Sequence, residues 1–196
     1  MLKDIYVIDN VFPYPEEVVK WANVQRFGEN NTHKFDDERR TYWVGKRTFP
    51  LHKISPDHGQ KANLLIDDIF NSCFEGSYSN FTYNYEWEGN FFFHRLDKTC
   101  VFENSWMHID PKCIYAGVVY LNPDPPLNSG TMIYTEEDKV TYVDNVFNRL
   151  VLYKSKFKHS AMTGFGEEEN SRLTFTMFFS KINVSIKSED SAPSLA

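Results

Sequence analysis

Beyond Gly76 the chain divides into short runs in which apolar and polar positions alternate or aromatic and β-branched residues cluster. The runs cover residues 81–87, 91–96, 114–122, 131–134, 140–143, 149–154 and 172–181. A period of two sends successive side chains to opposite faces of a pleated strand, where flat rings and branched side chains pack well. Turn formers separate the runs: Asn122-Pro123-Asp124-Pro125-Pro126, Asn128-Ser129-Gly130 and Gly164-Phe165-Gly166. About seven or eight short strands at this spacing predict a sandwich or a barrel-like jelly roll.

The first part of the chain reads differently. Residues 4–12 suit a short strand, ended by Pro13 and Pro15. Pro15-Glu16-Glu17 then opens a helix, because proline fits a first turn and acids fit the positive end of the dipole. Residues 27–40 are polar and aperiodic, a loop; 42–49 look extended. Leu64, Leu65, Ile69 and Phe70 recur at helical spacing, predicting a second helix over 60–74. The expectation is a mainly β protein with N-terminal helices, one domain over 1–184. Within it 1–76 form a helical lead-in and 77–184 the jelly-roll core, and 185–196 form a frayed tail.

Composition narrows the function classes. Aromatic residues make up 16% of the chain, with 17 Phe and 11 Tyr, which strengthens the β reading. A net charge of -6 argues against a nucleic-acid binder, which needs basic residues to neutralise phosphates. No apolar stretch approaches the ~20 residues that cross a bilayer, and the start lacks the apolar core of a signal peptide. Cys73, Cys100 and Cys113 form no C-x-x-C pair and read as reduced thiols. These features predict a cytoplasmic protein that engages neither nucleic acid nor membrane.

Three metal-type side chains carry the chemistry: His108-x-Asp110, and His159 much further along. On extended chain, positions i and i+2 share a side, so His108 and Asp110 can converge on one ion. A histidine from a distant strand would close a facial triad, the ligand set of non-haem iron(II) oxygenases. Taken alone, the residues also admit ordinary core histidines, a jelly-roll binding or scaffold protein with a non-catalytic metal site, or a zinc hydrolase. In 172–179, Arg172, Thr174 and Thr176 alternate with Leu173, Phe175 and Met177. One face is polar, and a buried guanidinium there needs an anionic partner such as a carboxylate. A zinc hydrolase would give Arg172 and Thr174 no role.

From Trp106 onward the chain resembles the prolyl-4-hydroxylase-like branch of the Fe(II)- and 2-oxoglutarate-dependent oxygenases. The resemblance runs through Trp106-Met107-His108-Ile109-Asp110, Ala116-Gly117-Val118-Val119-Tyr120-Leu121-Asn122 and Ser129-Gly130-Thr131. It continues through Asn148-Arg149-Leu150-Val151-Leu152-Tyr153, His159-Ser160 and Arg172 to Phe179. It implies a double-stranded β-helix with Fe(II) held by His108, Asp110 and His159. It further implies 2-oxoglutarate chelating that iron, its far carboxylate on Arg172 and Thr174, with Tyr120 reaching the same group. The implied reaction consumes dioxygen and 2-oxoglutarate, releases succinate and carbon dioxide, and hydroxylates an amino-acid side chain of a small molecule or peptide. Two features depart from the family: the tyrosine common upstream of the H-x-D pair is missing, its region reading His94-Arg95-Leu96, and the segment from His159 to Arg172 is long. That segment is expected to form an exposed hairpin. His33, His52 and His58 read as surface residues, and His94 as a core or pocket-lining residue.

Overall fold

The computed structural model describes residues 2–29, 43–74, 83–100, 107–135 and 139–186. Chain order is β1 (Ile5–Ile8), α1 (Pro15–Asn23), β2 (Gly28–Glu29), β3 (Lys46–Arg47), α2 (Leu51–Ile54), α3 (Pro56–Phe74) and β4 (Tyr83–Leu96). There follow β5 (Tyr115–Tyr120), β6 (Thr131–Tyr134), β7 (Val140–Val143), β8 (Leu150–Lys154), β9 (Lys158–Ala161), a 3-10 turn (Glu168–Asn170) and β10 (Arg172–Ile186). A seven-stranded sheet of order β1-β8-β5-β10-β4-β3-β2 faces a three-stranded sheet of order β7-β6-β9. Every pairing is antiparallel, and the architecture is the mainly β jelly roll with N-terminal helices.

Alternation along the strands divides the large sheet into two working faces. Leu173, Phe175, Met177 and Phe179 on β10, with Phe91 and Phe93 on β4, join the core that also contains Val18, Ala22, Ile66, Ile69 and Phe70 from α1 and α3. Phe91 and Phe175 stack at 6.2 Å, and Phe70 stacks on Tyr85 at 5.4 Å. The opposite face belongs to the jelly-roll interior. There Ala116, Tyr120, Val151 and Tyr153 pack against Ile133 and Val143 of the small sheet.

Several boundaries differ from the sequence expectation for identifiable reasons. The described part of run 81–87, from residue 83, and run 91–96 form one strand, β4, which passes through Gly89; a Cβ there would lie 2.6 Å from the Phe178 carbonyl oxygen. β10 continues to Ile186, beyond the expected end at Lys181. The register against β4 shifts between Phe179 and Lys181. A bulge adds one residue and reverses parity, so Ile182 returns to the helix-covered core although the period-two pattern is broken. β9 was not among the runs read from alternation, because Lys158-His159-Ser160-Ala161 has no apolar periodicity; only the ligand pattern and the resemblance put His159 on a strand. The segment from His159 to Arg172 is no hairpin: β9 pairs with β6 and β10 with β4 and β5, so it crosses between sheets. Of the expected loop 27–40, Gly28–Glu29 pairs with Lys46–Arg47, and residues from 30 onward lie outside the described residues, as do His33 and Trp106. Among the described residues, no helix is long and apolar enough to cross a membrane.

Asn148 ties the lead-in to the barrel. It accepts from Phe12 N–H at 2.9 Å and donates to the Phe12 carbonyl at 2.8 Å, with its own backbone at φ 60°. Asn148→Ala leaves both Phe12 groups unpaired and keeps an L-residue in the left-handed region. The expected loss is about 2–4 kcal/mol, a fall of roughly 5–15 °C in melting temperature. Thermal unfolding followed by circular dichroism checks this, and an unchanged midpoint would remove the latch.

Candidate metal centre and anion pocket

The H-x-D segment is held against β9 by a reciprocal backbone pair: His108 N–H to His159 O at 3.1 Å, and His159 N–H to His108 O at 2.9 Å. Asp110 N–H donates to Ser155 O at 3.1 Å. One ligand-capable atom from each of His108, Asp110 and His159 lies within 4.8 Å of the others. His159 Nε2 is 3.2 Å from Asp110 Oδ2, and His108 Nε2 is 3.9 Å from Asp110 Oδ1.

The tautomer of His159 follows from its surroundings. Its Nδ1 lies 3.0 Å from the Phe157 carbonyl, which can only accept, so in the neutral ring Nδ1 carries the proton and Nε2 presents a lone pair. That lone pair faces Asp110 Oδ2, a buried oxygen with no hydrogen-bond partner. Two acceptors in close approach without a proton between them suit a cation, so the donor set fits a metal ion. Burial raises the Asp110 pKa, but when the His159 ring is protonated its hydrogen bond and charge, with His108 and the Arg47 guanidinium, outweigh it and hold the carboxyl below its ordinary range. His159 is 6% exposed whereas His108 is exposed, so the cluster opens to solvent on the His108 side. Cys113 is no competing ligand: burial and Asp110 push its thiol up to about 12, and it donates to the Asp110 carbonyl oxygen.

Arg172 begins β10 on the interior face and is 2% exposed. Its Nε donates to Ser129 O at 2.8 Å and its Nη2 to Gly130 O at 3.3 Å. The guanidinium carbon lies 5.4 Å from the Tyr120 ring centre. Among the described residues, no carboxylate lies within ion-pair distance of it. Burial lowers its pKa, partly countered by Tyr120 and Tyr153. Thr174 sits opposite Tyr120 across the β10–β5 pairing, its hydroxyl 3.1 Å from that of Thr176; Tyr120 OH donates to Thr131 Oγ1 at 2.7 Å. The sequence-derived residues Arg172, Thr174 and Tyr120 therefore lie in one buried polar cluster on the interior face.

Sequence reasoning missed residues that shape this cluster. Asn122 accepts from Leu173 N–H at 2.7 Å and donates to Ser171 O at 3.0 Å, holding the backbone on either side of Arg172. Gly130 brings its carbonyl to Arg172 because a Cβ there would lie 1.9 Å from Val143 O. Tyr153 packs on His159 at 4.7 Å. Arg47 lies over Trp43, Phe92 and Phe178 at 5.4, 5.6 and 5.4 Å. The only signal for Arg47 in the sequence was its place in an extended run. His94, expected in the core or lining a pocket, is buried with Nε2 2.6 Å from Val44 O, and burial with Arg47 nearby drives its pKa well down. His52 is exposed, and His58 is half-buried between Ser55 and Gln25.

Comparison with solved structures finds this architecture in known proteins. A prolyl hydroxylase from Trichoplax adhaerens, in complex with a hypoxia inducible factor oxygen degradation domain peptide fragment, superposes with a TM-score of 0.55 at 15% identity, covering 90% of this chain and 83% of that one. The chain has the fold of the 2-oxoglutarate and iron(II) oxygenases. A 2OG-Fe(II) oxygenase family oxidoreductase from Burkholderia pseudomallei gives 0.55 at 13% identity, over 90% of this chain and 84% of that one. HygX from Streptomyces hygroscopicus, with nickel and 2-oxoglutarate bound, gives 0.53 at 14% identity, over 90% and 82%. No sequence model of a protein family matches the chain, and no curated protein sequence does.

Proposed function

We propose that this protein is an Fe(II)- and 2-oxoglutarate-dependent dioxygenase that hydroxylates an amino-acid side chain, free or in a peptide. The observation that carries the reading is a pair of complementary charge demands in one jelly-roll interior. Asp110 Oδ2 and His159 Nε2, which carries a lone pair in the neutral ring, face each other at 3.2 Å, and Arg172 is buried among backbone carbonyls and a tyrosine. The first suits a cation and the second an anion.

His108, Asp110 and His159 would hold the iron, two nitrogens and one carboxylate being the donor set that leaves positions open for co-substrate. Bound there, iron supplies oxidation of a C–H bond coupled to decarboxylation of 2-oxoglutarate to succinate and carbon dioxide. The protein's own part is binding and orientation. Arg172 pairs with the far carboxylate through its fork, assisted by the Tyr120 and Thr174 hydroxyls. The aromatic and aliphatic walls from Tyr153, Val151 and Ile133 keep water away from that pair. The nickel and 2-oxoglutarate in HygX, and the peptide on the Trichoplax enzyme, support a metal, a 2-oxo acid and an amino-acid-type substrate here.

The alternative is a binding or scaffold protein that keeps a metal site without turnover. Purified protein given iron(II), 2-oxoglutarate and dioxygen should release succinate, slowly without substrate and faster with the right one. Mass spectrometry of the products reads both. No succinate from protein carrying stoichiometric iron would favour the scaffold.

A further inference from the structure

The long segment from His159 to Arg172 has no task at the metal centre beyond its first residue. Its end packs along the end of β4: Phe165 N–H donates to Leu96 O at 3.2 Å, and Lys98 N–H to Gly166 O at 2.9 Å. Beside it opens a cleft of about 220 Å³, lined by Phe27, Lys46, Arg95, Asp97, Glu168 and Ser171. Register fixes the side of the sheet on which it lies. Lys46 pairs with Arg95 and Arg95 with Leu173, whereas His94 pairs with Thr174. Directly opposed residues share a face, and neighbours along a strand alternate. Leu173 belongs to the helix-covered core and Thr174 to the interior face, so the cleft lies across the sheet from the metal centre.

Arg95 is 7% exposed, and its hydrogen-bond partners are neutral. Nη1 donates to Glu168 O at 2.5 Å and Nη2 to Asn23 Oδ1 at 2.7 Å, while the buried Nε has no partner. Among the described residues, no carboxylate lies within ion-pair distance of it. Its guanidinium borders the cleft, because Phe27, 4.6 Å away at the ring centre, and Glu168 both line it. Glu168 is held at φ 46°, an unfavourable backbone for a residue with a Cβ, by Arg95 and by the Ser171 hydroxyl, which donates to the same carbonyl at 2.6 Å. Lys46 stands directly opposite Arg95, and like charges so placed repel unless an anion lies between them. The same lining carries the carboxylates of Asp97 and Glu168. Asp97 Oδ1 accepts from Thr99 N–H at 2.9 Å and Thr99 Oγ1 at 2.5 Å; its Oδ2 makes no hydrogen bond among the described residues. Two cations and two carboxylates suit a ligand that bears both charges better than a simple anion. A cavity of about 150 Å³ already admits benzene, so this one has room for roughly six to ten non-hydrogen atoms.

We propose that this cleft is a second small-molecule site, which binds a zwitterion of the free α-amino acid type. The ligand carboxylate lies between Lys46 and Arg95, and its ammonium lies toward Asp97 and Glu168. The site shares no residue with the metal centre or the Arg172 cluster and does not depend on the oxygenase reading.

The full chain is titrated calorimetrically with L-alanine, L-serine and L-leucine. Each is compared with its α-carboxamide, which lacks the carboxylate, and with the corresponding acid, which lacks the amino group. At least one amino acid should bind about tenfold or more tighter than either of its own analogues, the size expected of one charge-assisted hydrogen bond. In Arg95→Gln and in Lys46→Gln the preference over the carboxamide should fall toward unity. In the double variant Asp97→Asn, Glu168→Gln the preference over the acid should fall instead. Both preferences are ratios internal to one variant, so lost stability cannot imitate them, and Lys46→Gln carries the test if Arg95→Gln does not fold. Asp110→Ala should leave both preferences as in wild type, which separates this site from the metal centre. The assignment is overturned if no amino acid outbinds its analogues, if either preference survives its variants, or if Asp110→Ala abolishes binding.

Discussion

Asp110→Ala protein is expected to lose iron binding by on the order of a hundredfold or more, and succinate formation with it. Asp110 supplies the negative charge of the three-residue cluster and a buried oxygen facing the His159 lone pair. Without it, His108 and His159 remain as neutral donors on adjacent bridged positions, too few to enclose an ion. His159→Ala should behave similarly, since its Nε2 is the donor whose direction the Phe157 carbonyl sets. Metal analysis after gel filtration measures the effect. Stoichiometric iron in Asp110→Ala would remove the residue from the site and leave an adventitious surface ion as the explanation of any metal found.

Arg172→Lys keeps the positive charge and is nevertheless expected to weaken 2-oxoglutarate binding about thirtyfold or more. Lysine cannot form the two-pronged pair with a carboxylate, and breaking a buried charge-assisted pair costs about 2–5 kcal/mol. The guanidinium also uses Nε and Nη2 on the Ser129 and Gly130 carbonyls, a two-point hold that orients the fork and that a single ammonium does not reproduce. Iron affinity should stay close to wild type, because Arg172 reaches none of the three metal-type residues through a hydrogen bond or ion pair among the described residues. Anaerobic titration of 2-oxoglutarate into the iron-loaded variant reads both quantities. Wild-type affinity in that titration would sink the anchoring role.

Local pattern carried much of this protein. The alternation in Arg172 to Met177 is complete within six consecutive residues, so one polar and one apolar face could be read before any partner strand was known. The same holds for 131–134 and 140–143, which the structure reproduces residue for residue as β6 and β7. His108-x-Asp110 needed only extended chain to put its two side chains on one side. The sequence also predicted a jelly roll, because many short strands with turn formers between them have few other ways to bury an apolar face on each.

Tertiary structure decided what depends on register between distant strands. β9 has no apolar signature; it exists because β6 pairs with it and because His108 bridges to His159. β10 outruns its own alternation because the bulge restores Ile182 to the core. Asn122 in a Pro-rich turn makes its latch only once Ser171 and Leu173 lie beside it, and Arg47 comes to lie over Phe92 and Phe178 only once β3 has added to the edge of β4. The physical reason is common to all four. Hydrophobic periodicity is a property of neighbours in sequence, whereas hydrogen-bond latches and converging ligands are properties of neighbours in space. Sheet pairing alone makes those two sets of neighbours meet.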